Sequence, residues 1–207
     1  MRRRAISLLL VVAGALGLAQ GGWIWGKAQL AQVLLEDAWS RTLEGGGPAK
    51  PWPWADTWPV ARMRVPAHDA ELIVLSGASG EALAFGPGRL DGSAEPGARG
   101  NLVISGHRDT HFRFLEKVKS NDIVMLEDDR GGVHAYRITG AEVVDARTHG
   151  LKLDGEQARL TLVTCWPFDA VVPGGPLRYV VHAEGIAGTA TASSGRQRKP
   201  GLGASSG

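Results

Sequence analysis

Thr161-Leu162-Val163-Thr164-Cys165 is the stretch on which the reading of this chain turns. Leu160 to Thr164 is β-branched and apolar, the composition of a buried strand, and it ends on the chain's only cysteine. A thiol at a strand end can leave the core and face a cleft. Two further strand ends carry chemistry. Asn101-Leu102-Val103-Ile104-Ser105-Gly106-His107-Arg108-Asp109-Thr110 is an apolar run that delivers a histidine after a glycine, whose backbone freedom lets the chain turn out of the sheet. Pro176-Leu177-Arg178-Tyr179-Val180-Val181 opens a third strand with an arginine. Cysteine, histidine and arginine at three strand ends make a thiolate site, because the thiolate is the nucleophile and neighbouring positive charge favours it. The bland alternatives are an inert buried cysteine and a solvated strand arginine.

Outward from these strands, the pattern from about Trp58 to Gly188 is all-β. Candidate strands are 61–65, 71–75, 102–105, 123–126, 133–139, 142–145, 159–165 and 177–183. They are short, divided by Gly, Pro, Asn and Asp, and spaced as in an antiparallel sandwich or barrel. A short helix is expected over Phe112–Val118, with Phe112, Leu115 and Val118 on one face. Before the β region, Lys27–Glu44 reads as a membrane-proximal helix on the spacing of Leu30, Val33, Leu34 and Ala38, ended by Gly45-Gly46-Gly47-Pro48. Pro51-Trp52-Pro53-Trp54 reads as an extended linker whose tryptophans pack on the domain. The organisation expected is an anchor over 1–26, helix and linker over 27–57, a catalytic β domain over 58–188 and a disordered tail over 189–207.

The N-terminus is Met1-Arg2-Arg3-Arg4 followed by Ala5 to Trp25, 21 residues without a charge, close to the roughly 20 a membrane helix needs. The arginines place the start in the cytoplasm and the rest across the membrane. A cleaved signal peptide is the competing reading, since Gly17-Leu18-Ala19 is a small-x-small site. A retained anchor accommodates Trp23 and Trp25 as interfacial aromatics. The remaining composition fits one folded domain: 207 residues, 43 % hydrophobic, 29 glycines for turns, and a net charge of +2 that gives no reason to expect nucleic acid.

Six histidines compete for the catalytic role. His68, His134, His149 and His182 fall in turns, strands or loops and read as structural or surface residues. His111 is the alternative to His107. Spaced as H-x-x-x-H, the two could also join Cys165 around zinc, but the metalloprotease motif needs a glutamate and a helix where this chain has Arg108 and a strand. No metal or other cofactor is expected. Asp109 can orient His107 or cap a turn, so a Cys-His-Asp triad is not inferred. No G-x-x-x-x-G-K loop, G-x-S-x-G elbow or C-x-x-C pair is present.

Together these motifs resemble the sortases. Thr161-Leu162-Val163-Thr164-Cys165 is similar to their T-L-x-T-C signature, and Arg178 follows at the family's spacing. Gly97 to Arg108, then Thr110–Leu115 and Asn121–Val124, resemble the histidine segment in order, and the likeness runs from about Pro59 to Glu184. Trp166-Pro167-Phe168-Asp169-Ala170 and Pro173-Gly174-Gly175-Pro176 resemble the Gram-negative, proteobacterial branch. The resemblance implies a closed eight-stranded β-barrel with short helices behind an N-terminal transmembrane helix. It implies a cysteine transpeptidase that cleaves an L-P-x-T-G-like C-terminal signal of an exported protein between Thr and Gly. The acyl group would be held as a thioester and passed to an amine such as one of the cell envelope. Carried over, Cys165 is the nucleophile, His107 the general acid/base and Arg178 the positioning or oxyanion-stabilising cation. Thr164 and Ser105 are candidate substrate contacts, with strand packing the alternative for Thr164. The implied location is the inner membrane, single-pass, with the catalytic domain on the periplasmic side. Two rivals remain: an L,D-transpeptidase-like cysteine enzyme, which typically carries Gly before the cysteine where this chain has Thr164, and a non-enzymatic anchored β module.

Overall fold

In Pro59-Val60-Ala61-Arg62-Met63-Arg64-Val65 every second residue is buried, which is the period-2 signature of a strand with one face on a core. The same alternation builds the rest of the domain. The structure is a computed structural model, and it describes residues 2–172, 174–186 and 191–192. Helix α1 (Arg2–Arg41) precedes strands β1 (Pro59–Val65) and β2 (Ala70–Ser76), a short helix α2 (Gly80–Leu83), and β3 (Gly88–Arg89). Then come β4 (Gly100–Ser105), β5 (Ile123–Asp128), β6 (Gly132–Asp145), β7 (Ala158–Cys165), β8 (Leu177–Gly185) and β9 (Thr191–Ala192).

Pairing runs β5-β1-β2-β3-β4-β7-β8-β6, and β6 also pairs with β5. Those eight strands therefore close on themselves, which removes the exposed edges of an open sheet. Met63, Leu102, Ile104, Leu126, Leu160 and Leu162 fill the interior. The antiparallel pairing expected from the strand spacing does not hold throughout: β2–β3 and β4–β7 are parallel.

Eight strands were expected, but not these eight. The expected pair 133–139 and 142–145 is one 14-residue strand, β6, with a register irregularity between Ile138 and Gly140. Gly140 marks a bulge rather than a turn, and the bend lets β6 serve β5 at one end and β8 at the other. Strand β3, only two residues long, is too short to show periodicity. The expected helix at 112–118 is a 3-10 turn, Arg113–Lys117, with Phe112 and Leu115 buried.

Helix α1 crosses the expected boundary at 26/27 without a break and passes into a π-helical turn, Thr42–Gly46, that closes with Gly45 at φ +91°. Its packing face is shifted from the one read from the sequence, of which Ala38 is buried and Leu34 half-buried. Leu30 and Val33 are exposed, whereas Ala31, Leu35, Ala38 and Trp39 are buried, with Leu35 and Trp39 packing on Ile73 and Leu75 of β2. The large Trp39 sets the rotation of the helix against the barrel. Trp52 meets Phe85 edge-on at 5.0 Å, as expected of a packed linker, while Trp54 is exposed. Among the described residues no helix is long and apolar enough to cross a membrane; the side chains at 2–9, 11–13, 24 and 25, much of the expected anchor, lie outside the described residues. Of the tail, only Thr191 and Ala192 are described, and they pair with Gly132 and Val133 instead of being disordered. The rest of that expectation lies outside the described residues.

Two aspartates brace the turns. Asp122 accepts from Lys119 N at 2.9 Å and meets His68 Nε2 at 2.7 Å. Asp128 accepts from Gly132 N at 2.7 Å and Arg130 N at 2.9 Å and meets His134 Nε2 at 2.8 Å. The hydrogen bond from Lys119, then His68, holds the Asp122 carboxyl below its ordinary value. Burial pushes Asp128 upward, and the bonds from His134, Gly132 and Arg130 outweigh it, so it too lies low. A carboxyl with a lowered folded pKa contributes stability above its unfolded value and loses it as pH falls through the folded one. The thermal midpoint is therefore expected to fall as pH drops below the ordinary aspartate value of 3.8. Replacing both (Asp122→Asn, Asp128→Asn) should lower the neutral-pH midpoint and flatten that fall; an unchanged slope in differential scanning calorimetry would contradict it.

Candidate active site

On β7, Leu160 and Leu162 belong to the barrel core, so alternation sends Thr161, Val163 and Cys165 to the outer face. Cys165 is a free, half-buried thiol at the strand's last residue. Its partner on antiparallel β8 is Arg178. One step beyond, Trp166 N donates to Leu177 O at 3.1 Å, which makes Cys165 and Arg178 a non-hydrogen-bonded pair. Residues so opposed share a face and have Cα atoms roughly 4.5 Å apart, the closest cross-strand arrangement. The Arg178 guanidinium is steadied through Nη1, which donates to Gly175 O at 2.8 Å and Leu177 O at 2.9 Å.

The histidine arrives from the other side of β7. Strand β4 runs parallel to β7 with Ser105 opposite Val163. Gly106 N donates to Val163 O at 3.1 Å and Gly106 O accepts from Thr164 Oγ1 at 2.7 Å. Both backbone polar groups of Gly106 are thus tied to β7, and the register extended by two residues sets His107 level with Cys165. His107 is exposed. Gly106 serves by size rather than by backbone freedom. It has no left-handed φ, but a Cβ there would come within 2.9 Å of the buried Phe112 ring.

Of the expected substrate contacts, Thr164 does not fit: it is 2 % exposed and its hydroxyl is committed to Gly106 O, so it is a strut between two strands. Ser105 is half-buried and, by the alternation of β4, lies on the same outer face as Cys165. At its far end that face is roofed by the β6–β7 loop, which takes hydrogen bonds from Asn101 N to Leu153 O (2.7 Å) and Asn101 Nδ2 to Lys152 O (3.0 Å). Just after Cys165, Trp166, Phe168 and Tyr179 form an aromatic cluster with ring centroids 5.2–5.6 Å apart, with Phe168 and Tyr179 packed against the barrel core.

Asp109 does not orient His107 by hydrogen bonding. Its carboxylate accepts from Arg108 Nε at 3.0 Å and Nη2 at 3.3 Å, and that bond holds its pKa below the ordinary value. His111 is lowered by burial first and by the charge of His107 second. Among the described residues no group of three or more His, Cys, Asp or Glu is placed to hold a metal. His68, His134 and His182 are paired with Asp122, Asp128 and Glu142, and His149 is exposed. The residue that sequence reasoning missed is Arg108, 5 % exposed, whose Nη1 and Nη2 donate to Pro167 O (2.5 Å) and Ala170 O (3.0 Å) beyond the cysteine. Its only sequence signal is its place directly after His107.

The family described as the sortase domain matches residues 63–186. Sortase D of Bacillus subtilis (strain 168) is 32 % identical over 125 residues, covering 60 % of this chain and 62 % of that protein, so the match spans less than two thirds of the curated relative. Among solved structures, sortase A from Corynebacterium diphtheriae is 31 % identical with a TM-score of 0.57, covering 64 % of this chain and 63 % of the other. A Clostridium perfringens sortase D5 transpeptidase has a TM-score of 0.62 and covers 76 % of this chain and 99 % of its own. At 19 % identity it bears on the fold alone.

If Thr164 is a strut, Thr164→Val keeps the volume and removes the hydroxyl bond, a net loss of about 1 kcal/mol. We expect Thr164→Ser to retain most of that stability. Equal urea midpoints for Thr164→Val and the wild type would show that the bond holds nothing.

Proposed function

The chain belongs to the sortase family, and from that premise we propose a membrane-anchored cysteine transpeptidase that cleaves an LPXTG-like C-terminal signal between Thr and Gly and transfers the acyl group to an amine. The observation that carries this reading is the face-sharing pair of Cys165 and Arg178, with the His107 segment tied to the same strand by both backbone groups of Gly106.

In the proposed reaction the Cys165 thiolate attacks the threonine carbonyl carbon, and the developing oxyanion is met by the Arg178 guanidinium. The Thr–Gly C–N bond breaks as the His107 imidazolium gives its proton to the leaving glycine amine. The thioester that remains divides one hard acyl transfer into two easier steps. An incoming amine, its proton passing to His107, attacks the thioester carbonyl and releases the thiolate. Ser105 flanks the path of an extended peptide on the outer face.

The anchor, the single-pass inner-membrane location and the periplasmic catalytic domain rest on the three arginines and the uncharged run Ala5–Trp25. The proteobacterial placement rests on the motifs around Trp166–Ala170 and Pro173–Arg178. The relatives named above come from Gram-positive bacteria, so it stands on those motifs alone.

Cys165→Ala is expected to abolish cleavage of a fluorogenic sorting peptide while leaving circular dichroism unchanged; retained cleavage would end the cysteine-enzyme reading. His107→Ala should slow cleavage by about 10²–10⁴-fold, the usual contribution of general acid/base catalysis, and His111→Ala far less. Arg178→Lys keeps the charge but loses the planar fork, so it should impair cleavage more than it impairs labelling of Cys165. Exhaustive chelation should leave the rate unchanged, and loss of activity on removing stoichiometric zinc would favour a metal site instead.

A further inference from the structure

We propose that Arg108 is a positioning residue for Cys165 and His107: a buried cation that ties the segment following the nucleophile to the segment that carries the base. The inference rests on the reading of Cys165 as nucleophile and adds a role for a side chain that touches neither it nor the substrate.

Lysine, arginine and the acids are almost never fully buried unless paired. Arg108 is 5 % exposed, and all three of its guanidinium nitrogens are engaged. Its Asp109 partner is 66 % exposed, so the pair is lopsided, with the acid in water and the base inside. Two of the four bonds reach across the site. Pro167 and Ala170 lie just after Cys165, whereas Arg108 itself lies just after His107. A planar fork with fixed donors can bridge two carbonyls and a carboxylate at once, and a point-like ammonium cannot. Loops are the mobile parts of a scaffold, and here one side chain joins the two loops that the chemistry needs held together.

Charge gives a second consequence. Cys165 and Asp169 both lie within electrostatic reach of Arg108. The charged and titratable groups around the thiol are then Arg178 across the strand pair, His107 at the same level, Arg108 behind, and the acids Asp109 and Asp169. The two arginines differ in what they are free to do. Arg178 sits on the open outer face, while the donors of Arg108 are committed to protein acceptors, so Arg108 acts on the reaction only through the loops it joins and through its fixed charge.

The test compares full-length wild type, Arg108→Lys and Arg108→Gln in detergent for peptide turnover, the pH profile of Cys165 alkylation by iodoacetamide, and thermal midpoint. Arg108→Gln is expected to lower kcat/KM by about ten- to a hundredfold, as loss of a positioning contact does, and to move the alkylation profile to higher pH. Arg108→Lys should return the alkylation profile to that of the wild type while KM stays raised, because the charge is restored and the fork is not. Wild-type alkylation profiles in both variants, with turnover falling only as the thermal midpoint falls, would overturn the proposal and leave a merely structural arginine. If Arg108→Gln does not fold, Arg108→Lys decides: a raised KM with an unchanged alkylation profile supports the role, and unchanged values of both refute it. Failure of the wild type to cleave any sorting peptide would refute the sortase reading, while the alkylation profiles would still decide the electrostatic part of the Arg108 role.

Discussion

The parallel pairing of β4 with β7 is the constraint on which the site depends. Parallel neighbours need a crossover of a dozen or more residues, and here the crossover is itself two strands of the barrel, β5 and β6. Because the two strands point the same way, the residue after β4 and the last residue of β7 emerge at the same end. Were the pairing antiparallel, His107 would lie at the opposite end of the strand from Cys165 and no rearrangement of loops could bring them together. The cost of closing so long a loop grows only slowly with its length, so the connection is tolerable. What secures it locally is the exchange at Gly106, with its N–H on Val163 and its carbonyl on Thr164.

The complementary constraint is the antiparallel return from β7 to β8. An antiparallel return places the start of the second strand against the end of the first, so Arg178 falls opposite Cys165 without any special contact between them. Two pairing rules, one parallel and one antiparallel, therefore place the proposed nucleophile, base and cation at one end of one face. The β6–β7 loop starts beside Leu177 at that end and is tied down over Asn101 at the other.

What the sequence disclosed follows from what periodicity can encode. Short apolar, β-branched runs divided by turn residues marked β1, β2, β4, β5, β7 and β8, because each has a face on the core. It could not name partners, so the two parallel pairs were invisible, and a dipeptide such as Gly88-Arg89 carries no period at all. Gly140 looked like punctuation because a bulge and a turn use the same residue. On α1 the apolar positions crowd several faces, and only contact with Ile73 and Leu75 selects Leu35 and Trp39 over Leu30 and Val33. The placement of Cys165, His107 and Arg178 was legible because each sits at a strand end. The strut role of Thr164 and the burial of Arg108 were not, since both depend on what a neighbouring segment presents across space. Gly106 was noticed for the wrong reason: its lack of a side chain accommodates Phe112.

The fate of Asp109 bears on how the proposed chemistry is run. A carboxylate two residues from His107 invites the idea of a triad in which the acid holds the imidazole in one tautomer. In this fold Asp109 is taken by Arg108, and among the described residues the His107 side chain has no hydrogen-bond partner. The rigid parts of the site are then the thiol and the Arg178 cation, both on strands, while the imidazole stands on a loop held by its backbone. That division suits a transpeptidase of the proposed kind. Its histidine must give a proton to one amine and take a proton from a different one, and a ring not locked by a carboxylate can meet both. The ordering that a triad acid would supply to the ring is supplied to the loop by the buried guanidinium of Arg108.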